Sequence, residues 1–239
     1  MKLKASTDRK TANLASPNGK TAKIKNAFGL PAGTEYSCPG ATSICDRICY
    51  AGKLEKIFKG MRENMLHNWN LVKDASISDL VTMLDEVIID FEQACDKWDA
   101  DKLFRIHHDG DFFSETYASA WAEVMRRHPN VTFWAYTRSF HVVSLLADIP
   151  NFTLYLSVDA ENLDNAVQTF DAQPWVKLAA LGKTFADARE LLQAFGAKGA
   201  NCPELNGALP LITVNGGACK TCGLCVFGRG NVAFSSSKR

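Results

Sequence analysis

The sequence predicts an α/β fold: an incomplete (β/α) barrel of about six parallel strands with a Cys-rich C-terminal extension. Segments with strand-like alternation are each followed by a segment with helical spacing of apolar residues, and the links between them are short. Such repeated units form parallel sheets with right-handed crossovers. The chain of 239 residues holds about six of these units, whereas a complete barrel has eight.

The elements follow in chain order. A first strand is expected at 22–28, before a cysteine-rich loop. Helices are expected at 62–73, 114–127, 141–147, 161–170 and 184–196. Strands are expected at 102–108, 131–137, 152–159, 176–181, 199–202 and 209–214. A further helix, capped by Ser76 or Ser78, carries an apolar face that includes Cys95, which is therefore predicted to be a core thiol.

Composition narrows the class of protein. A net charge of +1 provides no overall field for nucleic acid or membrane, and no apolar run is long enough for a signal peptide or a membrane span. We therefore expect a cytoplasmic protein without membrane contact, in which close-set cysteines bind metal or do redox chemistry rather than form disulfides.

Three regions are predicted. Residues 1–25 form a basic N-terminal arm, 26–197 the partial barrel with its cysteine loop, and 198–239 a Cys-rich metal-binding extension. Because no aromatic residues are interleaved with its lysines, the arm is expected to be a solvated segment. Phosphate contact is the alternative.

Alternation within the strands predicts a polar barrel interior. Helices must cover the apolar face of each strand, so the other face turns inward. That inner face carries a largely polar and aromatic set of side chains: Arg105, His107, Trp134, Tyr136, Arg138, Tyr155, Ser157 and Asp159. The set predicts a ligand cavity, and a satisfied internal hydrogen-bond network is the alternative.

Seven cysteines are candidate metal ligands. The first set supplies three thiolates from one loop, Cys38-x6-Cys45-x3-Cys49. The second set has three closely spaced cysteines and a remote fourth: Cys219, Cys222, Cys225 and Cys202. That arrangement is typical of iron–sulfur clusters, so one or two 4Fe–4S clusters are expected. Zinc is the alternative for the second set. In another arrangement Cys202 completes the first cluster.

The first set resembles the cluster loop of the radical SAM superfamily, in which three cysteines leave one iron open to S-adenosylmethionine. A similar Gly-acid element follows the second strand, here His107-His108-Asp109-Gly110-Asp111. The resemblance implies cofactor contacts from Gly110, Asp111, Ser157 and Asp159. The cysteine spacing departs from the superfamily's usual Cys-x3-Cys-x2-Cys, and Asp111 stands where a Glu is more usual.

Motifs spread along the chain carry a closer resemblance. They are Phe28-Gly29-Leu30-Pro31-Ala32-Gly33, Cys38-Pro39-Gly40-Ala41-Thr42, Cys49-Tyr50-Ala51, Arg105-Ile106-His107 with Gly110-Asp111-Phe112, Tyr136-Thr137-Arg138-Ser139, and Gly217-Ala218-Cys219-x2-Cys222. In these motifs the chain resembles the phage "gene product 88" family. The resemblance implies a phage or prophage origin, and thus the cytoplasm of the host cell.

The leading hypothesis is a radical-SAM-like iron–sulfur enzyme. The first cysteine set would hold the catalytic cluster, and four lumen residues would position a small-molecule or nucleotide substrate or relay protons: Tyr136, Arg138, His107 and Arg105. Such an enzyme needs an electron donor. The alternative is a non-catalytic iron–sulfur or zinc protein that binds nucleic acid or a host protein. A thiol oxidoreductase using Cys219 and Cys222 is a third hypothesis.

Overall fold

A computed structural model describes residues 2–15 and 20–237. Residues 1 and 16–19 of the predicted arm and residues 238–239 of the predicted extension lie outside this description. The strands are β1 (Leu14–Ala15), β2 (Lys20–Thr21), β3 (Ala27–Gly29), β4 (Leu103–Asp109), β5 (Thr132–Thr137), β6 (Phe152–Val158), β7 (Lys177–Gly182), β8 (Gly199–Asn201), β9 (Ile212–Thr213), β10 (Gly216–Gly217) and β11 (Asn231–Ser235). The α-helices are α1 (Ser43–Ile48), α2 (Tyr50–Ile57), α3 (Lys59–Val72), α4 (Ile77–Trp98), α5 (Glu115–Arg127), α6 (Leu163–Ala172), α7 (Phe185–Gln193) and α8 (Ala218–Cys222). Two 3-10 helices span Arg9–Thr11 and Phe140–Leu146.

The main sheet has seven strands in the order β3-β4-β5-β6-β7-β11-β8, and every neighbouring pair is parallel. The predicted α/β class with a parallel sheet is confirmed. In the described part of the chain the order ends at β3 and β8 without closing, as expected for a partial barrel.

Helices cover one face of the sheet, where the main core lies. Trp121 of α5 and Leu84 of α4 are fully buried there, and so is Cys95, which confirms it as a core residue. Predicted helix starts also hold. Ser76 accepts a hydrogen bond from the Asp79 amide at the start of α4, and Thr184 forms a capping box at the start of α7.

The C-terminal region differs from the prediction. The segment expected as a strand at 209–214 contributes only β9, which pairs antiparallel with β10 outside the main sheet. Instead β11 inserts between β7 and β8, with Val232 opposite both Ala179 and Ala200. Residues after 198 therefore supply two strands of the main sheet, β8 and β11. Val232 and Ala233 of β11 are both buried, as expected for a strand inside a parallel sheet.

The N-terminal arm is packed against the barrel in its described part, so the prediction of a solvated arm is wrong there. Leu3, Ala12 and Ile24 are buried. Asp8 forms an ion pair of 2.8 Å with Arg105, a residue of β4. Apolar residues between the lysines drive this docking, and a count of charges alone hides them. No helix in the described residues has the length and apolarity needed to cross a bilayer.

Candidate metal and cofactor site

The first cysteine loop lies across the carboxyl ends of the central strands. The missing side chain of Gly40 lets the loop touch the carbonyl oxygen of Arg138, which follows β5. Gly110, at φ +84°, packs against the Ser37 hydroxyl and follows β4. A Cβ atom at either glycine would overlap its neighbour. Cys38 is thereby held over the strand ends, where parallel α/β proteins place their ligands.

Two short helices position the other two cysteines of the set. Thr42 caps α1 by accepting a hydrogen bond of 3.0 Å from the Cys45 amide, which places Cys45 in the first turn. Cys49 caps α2, since its Sγ accepts from the Gly52 amide at 3.3 Å. All three thiols of the loop are partly exposed. Neither α1 nor α2 was predicted from the sequence, because the segment is short and interrupted by glycine.

Burial raises the pKa of each thiol in this loop, Cys38, Cys45 and Cys49. Arg138 partly opposes the increase in the pKa of Cys45, whereas Asp111 adds to that of Cys38. The thiols therefore stay protonated at neutral pH unless a metal supplies positive charge, because metal binding releases the thiol proton.

A buried ion pair connects this loop to the strands. Arg138 Nη1 donates to Asp159 Oδ2 at 2.7 Å, and the Thr42 hydroxyl donates to the same oxygen at 2.6 Å. The Asp159 side chain is fully buried, and Arg138 Nη2 is buried without a hydrogen-bond partner in the described residues. The bonds of Asp159 are thus to the protein itself, while Arg138 keeps one free donor.

Asp111 also bonds to the protein. Its Oδ1 accepts from the Thr137 hydroxyl and the Phe112 amide, both at 2.7 Å, and its Oδ2 accepts from the Arg138 amide at 2.7 Å. Burial raises the pKa of Asp111 to about 6, although these hydrogen bonds oppose the shift. The implied role in contacting a cofactor stays a prediction; the observed role is to hold β4 against the end of β5.

Two acidic residues, Asp109 and Glu55, form a pair beside the loop that was not predicted from the sequence. Burial raises the pKa of Asp109 to about 8, and the nearby carboxyl of Glu55 adds to this increase. Glu55, from α2, is buried and accepts from the Ala32 amide at 2.9 Å. The Asp109 carboxyl therefore holds a proton at neutral pH. Nothing in the sequence pattern pairs Glu55 with β4, because α2 itself was not predicted.

The prediction that His107 faces the lumen is wrong. Its Nε2 lies 2.9 Å from the Tyr117 hydroxyl on α5, and its ring packs against Phe112 and Trp121 on the helix-covered face. The register of β3 against β4 shifts between Phe28 and Gly29, so strict alternation fails in this part of β4. Burial lowers the pKa of His107 to about 3, and the ring is neutral.

The inner face of the sheet is filled, not open, at the level of Arg105 and Tyr136. Arg105 pairs with Asp8 of the arm and lies 5.5 Å from the Tyr136 ring centroid. The Tyr155 hydroxyl donates to carbonyl groups of the C-terminal segment, Leu224 and Gly230. The prediction of an open ligand lumen is therefore wrong at this level, because both terminal segments pack into it.

The second cysteine set packs against this inner face. Cys219 and Cys225 contact the group of Leu103, Trp134 and Val226. Cys202 and Cys225 contact the group around Tyr155. Cys225 is thus the member of the set that contacts both groups.

Electrostatics also link the members of this set. Burial raises the pKa of Cys225 to about 11, and the thiols of Cys202 and Cys222 contribute to the increase. Burial likewise raises the pKa of Cys219 to about 12, with a contribution from Cys225. Among the described residues, no group of three or more His, Cys, Asp or Glu side chains is arranged to hold a single metal ion.

A cavity of about 730 Å³ opens at the carboxyl ends of β6, β7 and β11. Helix α1, which carries Cys45, forms one wall through Ile44, Arg47 and Ile48. Leu181 and Lys183 line the opposite side. The space has the size of a small-molecule site and lies beside the cysteine loop rather than inside the sheet. Ser157, predicted to contact a cofactor, is not among the residues that line it.

Comparison with known proteins finds similarity along nearly the whole chain. The family described as Gene product 88 matches residues 1–228. The "Gene 88 protein" of Mycobacterium phage L5 is 45% identical over 243 residues, which covers 100% of this chain and 99% of the relative. The "Gene 88 protein" of Mycobacterium phage D29 is 45% identical over 243 residues and covers 99% of each. No solved structure matches the chain.

Proposed function

The chain belongs to the gene product 88 family, and from the geometry of its site we propose that it is an iron–sulfur enzyme of the radical-SAM-like type. One observation carries the proposal. A single loop holds three partly exposed thiols over the carboxyl edge of a parallel sheet, beside an arginine with a free buried donor. Cys38, Cys45 and Cys49 would hold the catalytic cluster there.

Three thiols from one loop form a donor set that a cluster of several irons can use. Four thiolates around one zinc ion lie roughly 4 Å apart, as Zn–S bonds of about 2.3 Å in a tetrahedron require. No group in the described residues has a single-ion arrangement. A cluster of several irons accepts more widely spaced thiolates. The Cys49 thiol contributes to the raised pKa of Cys45, and Asp109 contributes to the raised pKa of both Cys38 and Cys49, which supports placing the three thiols at one site.

When bound, the cluster and S-adenosylmethionine would supply one-electron chemistry that produces a carbon radical. The chain's own residues bind and orient. Arg138 Nη2 is buried and has no hydrogen-bond partner among the described residues, so it would be the donor for an anionic group, and Asp159 fixes the direction of the guanidinium. The Asp109 carboxyl stores a proton close to Cys49. The cavity walled by α1 offers room for a small-molecule or nucleotide substrate.

Three of the four predicted catalytic residues are not proposed to contact substrate. His107 lies on the helix-covered face, against Tyr117 and Trp121. Arg105 and Tyr136 lie under the packed terminal segments, so we assign them to holding those segments and not to substrate contact. Arg138 remains a candidate for direct contact. An external electron donor completes the proposal, and the host-cell cytoplasm is the expected location.

The second set would hold a second cluster or zinc through Cys202, Cys219, Cys222 and Cys225. One observation favours a competing, non-catalytic function. The arm and the C-terminal segment together fill the inner face, as expected if metal simply staples the fold. In that case the first set would be structural as well.

Anaerobic purification tests the proposal. The protein should be brown and contain iron and sulfide. When it is reduced in the presence of S-adenosylmethionine, it should form 5′-deoxyadenosine. Cys45→Ala should abolish deoxyadenosine formation while the absorption of the second cluster survives. Cys95→Ala, a matched control in the core, should leave both unchanged. Unchanged deoxyadenosine in Cys45→Ala, or a colourless zinc protein, would overturn the proposal.

A further inference from the structure

The end of α2 and the start of α3 form an exposed surface that the proposed chemistry does not use. We call it the basic–apolar surface, and it comprises Lys53, Lys56, Ile57, Phe58, Lys59 and Arg62. All six residues are exposed. The surface adjoins the cysteine loop, because α2 begins directly after Cys49.

Its apolar residues are not explained by the fold. Ile57 is 69% exposed and Phe58 is 56% exposed, side by side in the chain. Phe58 occupies the N-cap position of α3, where its side chain makes no capping hydrogen bond. Ser, Thr, Asp or Asn stabilises a helix better at that position. Neither packing nor capping therefore accounts for Phe58, and adjacent exposed apolar side chains are typical of binding surfaces.

The charge on this surface is mainly positive. The four cations stand within ten residues, and the acid among them, Glu55, is buried and accepts from the Ala32 amide. In the described structure only Lys59 of the four has an ion-pair partner, Glu63 at 3.8 Å. The whole chain has a net charge of only +1, so these four cations are not part of a general positive charge. A polyanion is the complementary partner.

We propose that the basic–apolar surface binds single-stranded nucleic acid. Lys53, Lys56, Lys59 and Arg62 contact successive phosphates, and an unpaired base stacks on Phe58. A duplex offers the phosphates but keeps its bases stacked inside, so it cannot use Phe58. An acidic protein offers the charge but no bases. The proposal is independent of the iron–sulfur function, because no cysteine contributes to the surface.

Fluorescence anisotropy with a labelled 15-mer oligothymidylate tests the proposal on the full chain, purified anaerobically. Four phosphate contacts predict that log K falls with log[salt] with a slope of about −2.8, at about 0.7 per contact. The double variant Lys53→Ala/Lys56→Ala should reduce the size of the slope by about 1.4. Phe58→Ala should weaken binding roughly tenfold and leave the slope unchanged.

Trp98→Ala is the matched control, since Trp98 is 39% exposed on α4 between the carboxylates of Asp96 and Asp99. It should bind like the wild type, and circular dichroism should show every variant folded. Absence of binding at 50 mM salt, or equal losses in Phe58→Ala and Trp98→Ala, would overturn the proposal. Equally tight binding of a duplex of the same length would refute stacking on Phe58. Equally tight binding of polyglutamate, unaffected by Phe58→Ala, would identify an acidic protein as the partner and reject nucleic acid.

Discussion

The two cysteine sets carry the same ligand chemistry in different surroundings. Around the first set the neighbours are charged or hydrogen-bonding: Asp109, Arg138 and Asp159. Around the second set aromatic and aliphatic side chains, including Trp134 and Tyr155, pack against the thiols, and the nearby charges of Asp8 and Arg105 are paired with each other. Charged groups beside a cluster can bind and orient a ligand, whereas apolar neighbours only pack. We therefore propose chemistry at the first set and stabilisation of the fold at the second.

The largest expected effect separates these two roles directly. Cys225→Ala should lower the free energy of unfolding by more than about 3 kcal/mol, because it removes a ligand and a contact shared by both inner-face groups. Cys45→Ala should lower it far less, because Cys45 lies in the first turn of a short surface helix. Anaerobic guanidinium unfolding, followed by circular dichroism, measures both. Equal losses in the two variants would break the comparison.

A second variant tests how the first set is held in place. Asp159→Asn should cost about 3 kcal/mol, because it leaves the Arg138 guanidinium buried without its charge partner, with side chains only 6% and 0% exposed. The variant should also lose iron from the first set, since Thr42 loses its anchor. Glu63→Gln is the control: it breaks the exposed Lys59–Glu63 pair and should leave stability unchanged. If Asp159→Asn has the same free energy of unfolding as this control, the buried Arg138–Asp159 pair does not hold the loop in place.

The third prediction concerns a residue that belongs to neither set. Burial lowers the pKa of His107 from 6.5 to about 3 in the folded protein. The unfolded chain therefore binds a proton that the folded chain rejects as the pH falls below 6.5. The neutral, buried His107 therefore contributes to the free energy of unfolding above pH 6.5. That contribution is lost on acidification, by roughly 1.4 kcal/mol per pH unit between pH 6 and 4.

His107→Gln removes that pH dependence and retains a side chain able to bond the Tyr117 hydroxyl. The difference in unfolding free energy between wild type and variant should shrink steadily from pH 7 to pH 4. Urea unfolding at several pH values measures it. A constant difference over this range would show that His107 has the same pKa in the folded and the unfolded chain, and that its ring lies in a solvated environment.

Local patterns predicted much of the fold but little of the site. Helix starts at Ser76 and Thr184 could be predicted because a capping residue and its partner lie within one turn of chain. The place of β11 could not, because its partners β7 and β8 are distant in sequence. The direction of His107 depends on a register shift against β3, which no pattern within β4 encodes. The Asp109–Glu55 pair likewise exists only through docking of α2.

The smallest expected change in stability concerns two glycines: Gly40 in the first cysteine loop, and Gly60 next to the basic–apolar surface. Gly60 lies in the first turn of α3, and a Cβ atom there would have no neighbour within 4 Å. Gly60→Ala should therefore raise the free energy of unfolding by about 0.5–1 kcal/mol, since alanine costs less entropy in a helix. Gly40→Ala should have the opposite sign, because its Cβ would overlap the Arg138 carbonyl and lift the cysteine loop from the strand ends. Thermal unfolding of the two variants measures the contrast. A neutral Gly40→Ala would mean that the loop does not need this close contact, and the assignment of chemistry to the first set would lose its geometric basis.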